Sequence, residues 1–175
     1  MAVVSQNNSG KTSNKKPAIP QEIKQTINGF LQWYKANIFK LYEYNLTAKD
    51  SAGNYIVDTV SCSKYLKALK KSGFISSEYV RLWADYFRSQ GEKFIISPQN
   101  EGPPEGFDFD LVLHTQEPEI VFQDLGKLQF SSQEIKNKTA VIEVTFPKLG
   151  WTYSFELSKI KNKWFIDYIS LKEPN

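Results

Sequence analysis

Residues 106–117, GFDFDLVLHTQE, bring Asp108, Asp110, Glu117 and the only histidine of the chain, His114, into one short stretch. Carboxylates beside an imidazole are the parts for proton transfer, for metal ligation, or for holding a polar ligand. In an extended strand Asp108, Asp110 and His114 point to one side but span too much length for one ion. With one histidine and one cysteine, Cys62, no second ligand cluster is on offer, so neither a metal nor another cofactor is expected. For acid–base work the segment offers His114 with Asp108 or Asp110, set in an apolar pocket that tunes them, as in an isomerase, dehydratase or hydrolase. No nucleophile elbow or Ser-His-Asp order supplies another route, and Cys62 has no neighbouring histidine. The plainer reading is structural: Asp108 and Asp110 accept hydrogen bonds from backbone amides in the turn after the EGPPEG segment, residues 101–106. Gln116 can serve the same purpose through its amide.

These residues need elements to position them. Ile23, Ile27, Phe30, Leu31, Tyr34 and Ile38 recur every three or four positions, which predicts a helix over 20–40 that Pro20 can open. Within it, Gln32-Trp33-Tyr34 is expected to place one ring in the core and the other at a cavity edge, or both in the core. Ser61 or Ser63 can cap a second helix, over 62–72, carrying Tyr65, Leu66 and Leu69 and closed by Gly73. Ser77 can cap a third, over 77–90, with Glu78 in its first turn. Val80, Trp83, Ala84 and Phe87 form its apolar face, and Gly91 is expected to end it.

The second half changes period. Ala140, Ile142, Val144 and Phe146 alternate with Val141, Glu143 and Thr145, and Trp151, Tyr153, Phe155 and Leu157 with Thr152, Ser154, Glu156 and Ser158, and these are strands. Leu128 and Phe130 point to an earlier strand. Trp164, Ile166 and Tyr168 opposite Phe165, Asp167 and Ile169 make a last strand apolar on both faces. Asn137-Lys138, Leu149-Gly150 and Asn162-Lys163 sit at joins short enough to force antiparallel hairpins. Helices first and a four-stranded meander after is an α+β architecture, with three helices covering one face of a curved, cone-shaped sheet. The exposed sheet face is a surface through which a dimer could form.

At 175 residues and 41% hydrophobic content the chain suits one domain. Residues 1–18, polar and rich in Ser, Asn and Lys, are expected to be a flexible tail ahead of a single domain over 19–175. SGKT at 9–12 echoes a phosphate-binding loop, but no strand precedes it and Pro17 stands where a helix should begin. Lys11, Lys15 and Lys16 account for the whole formal charge of +3, which leaves the remainder balanced. A balanced domain lacks the clustered cations that a phosphate backbone demands, so nucleic acid is not an expected partner. No apolar run reaches membrane-spanning length.

The order of FLQWYKANI (30–38), YLKALKKSG (65–73), GFDFDLVLHTQE, KTAVIEVTF (138–146) and KWFIDYISL (163–171) resembles a bacterial family known only as domain of unknown function 3828. The motifs that carry the resemblance fall on Trp33 and Tyr34, on Asp108 and Asp110 followed by Gln116, and on Trp164, Ile166, Asp167 and Ile169. Glu117 replaces the expected aspartate. The resemblance implies the cone of the nuclear transport factor two and cystatin-like superfamily. It also implies a periplasmic or envelope location, with a signal segment lying outside the residues read here; a cytoplasmic protein is the alternative. Two functions follow as expectations. One is a non-catalytic protein binding a small molecule or another protein at the cone mouth through Tyr34, Asp108, Asp110, His114 and Gln116. The other is an enzyme that uses His114 with Asp108 or Asp110.

Overall fold

The computed structural model describes residues 18–172, so the expected tail at 1–18 and the SGKT stretch fall almost wholly outside the described residues. Three helices come first: α1 (Gln21–Tyr42), α2 (Thr59–Lys70) and α3 (Ser77–Ile96). Between α1 and α2 lies a small hairpin, β1 (Thr47–Lys49) and β2 (Tyr55–Val57), which the sequence did not announce. A short helix α4 (Pro118–Phe122) and a 3-10 turn (Leu125–Lys127) lead into β3 (Gln129–Ile135), β4 (Thr139–Phe146), β5 (Trp151–Ile160) and β6 (Lys163–Leu171). These four form an open antiparallel sheet in the order β3-β4-β5-β6, so the α+β architecture is as expected.

The apolar stripe of α1 is buried over its whole length, from Ile23 through Phe30 and Tyr34 to Leu41. Against it lies the inner face of the sheet: Ala140, Ile142, Val144 and Phe146 of β4, Tyr153, Phe155 and Leu157 of β5, and Trp164, Ile166 and Ile169 of β6. Trp164 is only 4% exposed, and truncating such a residue to alanine costs about 3–5 kcal/mol. The interior is thus filled by side chains, with Tyr34, Tyr79, Tyr153, Phe30, Phe146 and Phe155 among the largest that are fully buried.

Local chemistry explains most of the boundaries. Asp58, rather than Ser61 or Ser63, caps α2: its Oδ1 accepts from the amides of Val60 and Ser61. Ser76, rather than Ser77, caps α3 by accepting from the Tyr79 amide at 3.1 Å. The β5–β6 turn centres on Lys161 and Asn162, both at positive φ (47° and 65°), as a tight two-residue hairpin turn requires. The two-faced apolar pattern of β6 comes from a bulge. Leu157 pairs with Ile166 but Glu156 pairs with Tyr168, so Asp167 is the extra residue and the inward phase switches from Ile166 to Ile169. The segment joining α2 to α3 adds a short parallel pairing, with the Ser76 amide on the Ile166 carbonyl and the Ile166 amide on the Phe74 carbonyl, both at 2.9 Å.

One expectation fails in a useful way. Gly91 does not end α3, which continues five residues further to Ile96. A helix-interior glycine costs about 1 kcal/mol relative to alanine, yet propagation of the helix is carried by Phe94, buried on the far side of it.

Candidate functional site

The acidic stretch forms a compact turn. Gly106 takes a left-handed conformation, φ 82°, with its carbonyl held by the Tyr86 hydroxyl at 2.8 Å, and this redirects the chain toward α1. From Asp110 to Thr115 the chain makes a tight turn whose ends are joined by an antiparallel bridge. The Asp110 Oδ1 accepts from the amides of Val112 (3.1 Å) and Leu113 (2.7 Å). The His114 amide donates to the Asp110 carbonyl at 2.7 Å, and the Asp110 amide donates to the Thr115 carbonyl at 2.8 Å. His114 ends the turn at φ 51°, a region that histidine enters more readily than most side chains do. Leu111, Val112 and Leu113 are buried, and the Tyr153 hydroxyl fastens the turn to β5 through the Leu113 carbonyl at 2.7 Å.

The other carboxylate oxygen of Asp110 faces α1. Its Oδ2 accepts a short hydrogen bond of 2.5 Å from the Tyr34 hydroxyl and one of 3.0 Å from the Tyr42 hydroxyl. Asp110 is 5% exposed and receives four donors. Burial pushes its carboxyl above the ordinary aspartate range, while the Tyr34 hydroxyl, the Leu113 amide and the other two donors pull the other way. The same burial, with the carboxylate alongside, lifts the Tyr34 and Tyr42 phenols well above their usual range. Tyr65, fully buried, adds its phenol to the group through contact with Tyr34 and is raised as well.

Beside this cluster is a cavity of about 450 Å³, lined by Tyr42, Tyr44, Tyr65, Phe107, Asp108, Phe109, Asp110 and Gln116 among others. Three of the expected ligand residues therefore share one cavity: Asp108 exposed on its rim, Gln116 exposed, and Asp110 buried at its back. Tyr34 stands behind the Asp110 carboxylate and does not line the cavity, and Trp33, half-buried, packs at the edge of the core. His114 lies elsewhere. Its ring is packed between Trp83 and Phe109, and its Nε2 meets the Ile169 carbonyl at 3.1 Å. Burial lowers its affinity for a proton below that of an ordinary histidine. Asp110 thus accepts backbone amides as the structural reading supposed, whereas Asp108 makes no hydrogen bond among the described residues. Among those residues no three His, Cys, Asp or Glu side chains converge.

Sequence reasoning missed Tyr42. It lies eight residues beyond Tyr34, two helical turns along the same face, and outside the Ile23–Ile38 stripe whose spacing predicts the helix. A second buried carboxylate, Asp124, was also missed; its Oδ2 accepts from the Lys148 amide at 2.7 Å and pins the 3-10 turn to the β4–β5 connection.

The larger concavity, about 920 Å³, is a groove between α2, α3 and the β1–β2 hairpin. Leu66 of α2, Val57 of β2, and Val80, Phe87, Phe94 and Ile95 of α3 make it apolar, and Lys67, Lys70, Arg88 and Glu92 stand at its rim. Its α3 wall holds Ala84 and Gly91, seven residues apart and so on one helix face. A Cβ at Gly91 would meet only Val57, at an ordinary 3.7 Å. Close packing therefore does not require the glycine, and positions 84 and 91 put little or no side chain into the groove. Cys62 also lines it, but burial pushes its thiol up to about 12, so it is not a ready nucleophile. Among the described residues no helix is long and apolar enough to cross a membrane.

Searches of protein-family models, of curated proteins and of solved structures each return no match.

Proposed function

We propose that this is a non-catalytic binding protein that takes a small apolar molecule in the groove between α2, α3 and the hairpin. The observation that carries this reading is the groove itself: a concavity of about 920 Å³ whose surface is mostly apolar, with Ala84 and Gly91 on its α3 wall. Ligand sites are characteristically concave and mostly apolar, with volumes of roughly 300–1,000 Å³. Alanine at position 91 would gain about 1 kcal/mol of helix propensity; a groove wall that forgoes it points to an occupant.

Against an acid–base enzyme stands the state of the acidic stretch. All the acceptor directions of Asp110 are spent on two amides and two phenols, and His114 is turned to a backbone carbonyl instead of to either aspartate. A general base must reach a substrate proton with a free lone pair. A bacterial envelope location is part of the same proposal and rests on the resemblance described above; fractionation of a host that carries the natural gene tests it.

The groove is tested with N-phenyl-1-naphthylamine, an uncharged apolar dye that fluoresces once out of water. Wild type is expected to enhance its emission, and Ala84→Phe, at an exposed helix position, to lose most of the enhancement with an unchanged melting curve. Equal enhancement by the two proteins would sink the proposal.

A further inference from the structure

The cavity beside Asp110 is of a different kind from the groove. Tyr42, Tyr44, Phe107 and Phe109 line it, Asp108 stands on its rim, Asp110 lies at its back, and no lysine or arginine lines it. Glu119 adds a further negative charge within electrostatic reach of Tyr42. The rings are held in place before any ligand arrives. Phe107 stacks on Phe87 with centroids 6.0 Å apart, Phe109 stacks on His114 at 6.2 Å, and Tyr44 meets Tyr65 edge to face at 6.5 Å.

Aromatic faces carry negative charge and attract a cation most strongly where water is displaced. An anion would meet both the ring faces and the carboxylates with the wrong sign. A hydrated metal ion would gain little from ring faces, and among the described residues no ligand set of three carboxylate, imidazole or thiolate groups converges. An ammonium ion bearing hydrocarbon groups matches the rings and the carboxylates of this lining: its methyl or methylene shell suits the rings, and its charge suits an exposed carboxylate that makes no hydrogen bond among the described residues.

We propose that this second cavity binds a small organic ammonium ion, seated among Tyr44, Phe107 and Phe109 with Asp108 as its direct ionic partner. Asp110 acts from behind, through its field and through the Tyr42 hydroxyl it holds, because its own oxygens are already occupied. Pre-positioned rings lower the ordering cost of binding, which favours a rigid compact cation over a flexible one.

The test is calorimetry on the full chain with choline and with 3,3-dimethyl-1-butanol, which has the same shape and no charge. Choline is expected to bind, and the neutral isostere to bind on the order of tenfold more weakly or worse. Asp108→Asn is expected to weaken choline several-fold and to leave the isostere and the melting curve unchanged, since Asp108 is exposed and makes no hydrogen bond. Tyr44→Leu should weaken choline as well, with a melt recorded to confirm the fold, and added sodium chloride should weaken choline only. Equal affinity for the two probes, indifference of choline to Asp108→Asn, or no choline binding at millimolar concentrations would each overturn the assignment. Ala84→Phe, which closes the groove, should bind choline as wild type does, so the failure of one site leaves the other standing.

Discussion

The Asp110 turn and the Gly91 segment of α3 both break local rules, and they do so in opposite ways. At Asp110 a charge is buried and then satisfied four times over, so that nothing is left for chemistry. At Gly91 an apolar helix face lacks a side chain where one would fit, and the groove that we propose as a ligand site runs along it. The contrast shows that a concentration of titratable residues is a poor guide to a site unless their hydrogen bonds are counted. A polar network closed on itself is architecture, while an unfilled apolar face is a place where a partner gains contact area.

Mutations sharpen this contrast in a definite order. Asp110→Ala should have the largest effect, because it strands two amides and two buried or half-buried phenols at once; a loss of about 3–5 kcal/mol is expected by chemical denaturation. A loss of less than about 1 kcal/mol would mean that the network is not what holds the turn to α1. Next comes the division between the two phenols. Tyr34→Phe removes the short, fully buried bond and should cost about 1.5–3 kcal/mol, whereas Tyr42→Phe, at a residue 46% exposed, should cost less.

The pH dependence of Asp110→Asn has a fixed sign. The folded protein holds the Asp110 proton more tightly than the unfolded chain does, because burial raises the carboxyl above its ordinary value. That contribution to stability is complete below the ordinary aspartate range, near pH ~4, and is lost as pH rises through the folded value. Asparagine does not titrate. Melts of the two proteins should therefore shift in favour of the variant as pH rises from about 4 toward neutrality, and a difference that stays constant would show that the four donors fully offset burial.

The smallest effect is expected at the groove and has the opposite direction. Gly91→Ala should stabilise by up to about 1 kcal/mol, since alanine is the better helix former and its Cβ meets only Val57 at ordinary contact distance. The same variant should narrow the groove and weaken the naphthylamine dye. A destabilised Gly91→Ala would mean that the helix needs glycine for its own packing, and the reading of an open groove would lose its support.

Much of the fold was legible along the chain because it depends on neighbours within a few residues. The stripe from Ile23 to Ile38, the alternation of Ala140–Phe146 and of Trp151–Leu157, and the turns between them follow from helix and strand periods and from φ preferences. Caps are less legible: Asp58 competes with Ser61 and Ser63, and Ser76 with the adjacent Ser77, so several polar residues lie within about one turn and only the dihedral angles choose. The β6 bulge was hidden in a pattern apolar on both faces, and the β1–β2 hairpin was hidden by its three-residue strands.

What the sequence by itself determined is that Asp110 sits in a turn among buried apolar residues, on a chain that must form helices and then an antiparallel sheet. Only the tertiary structure decided that its carboxylate meets Tyr34 and Tyr42, which lie 76 and 68 residues away. Only it decided that His114 turns toward β6, and that Ala84 and Gly91 share the wall of a groove with Val57 across from them. The physical reason is one of range. Periodicity and turn chemistry are set by sterics between adjacent residues, whereas the balance between a buried charge and its donors, or between a filled and an open face, depends on which distant surfaces the whole core brings together.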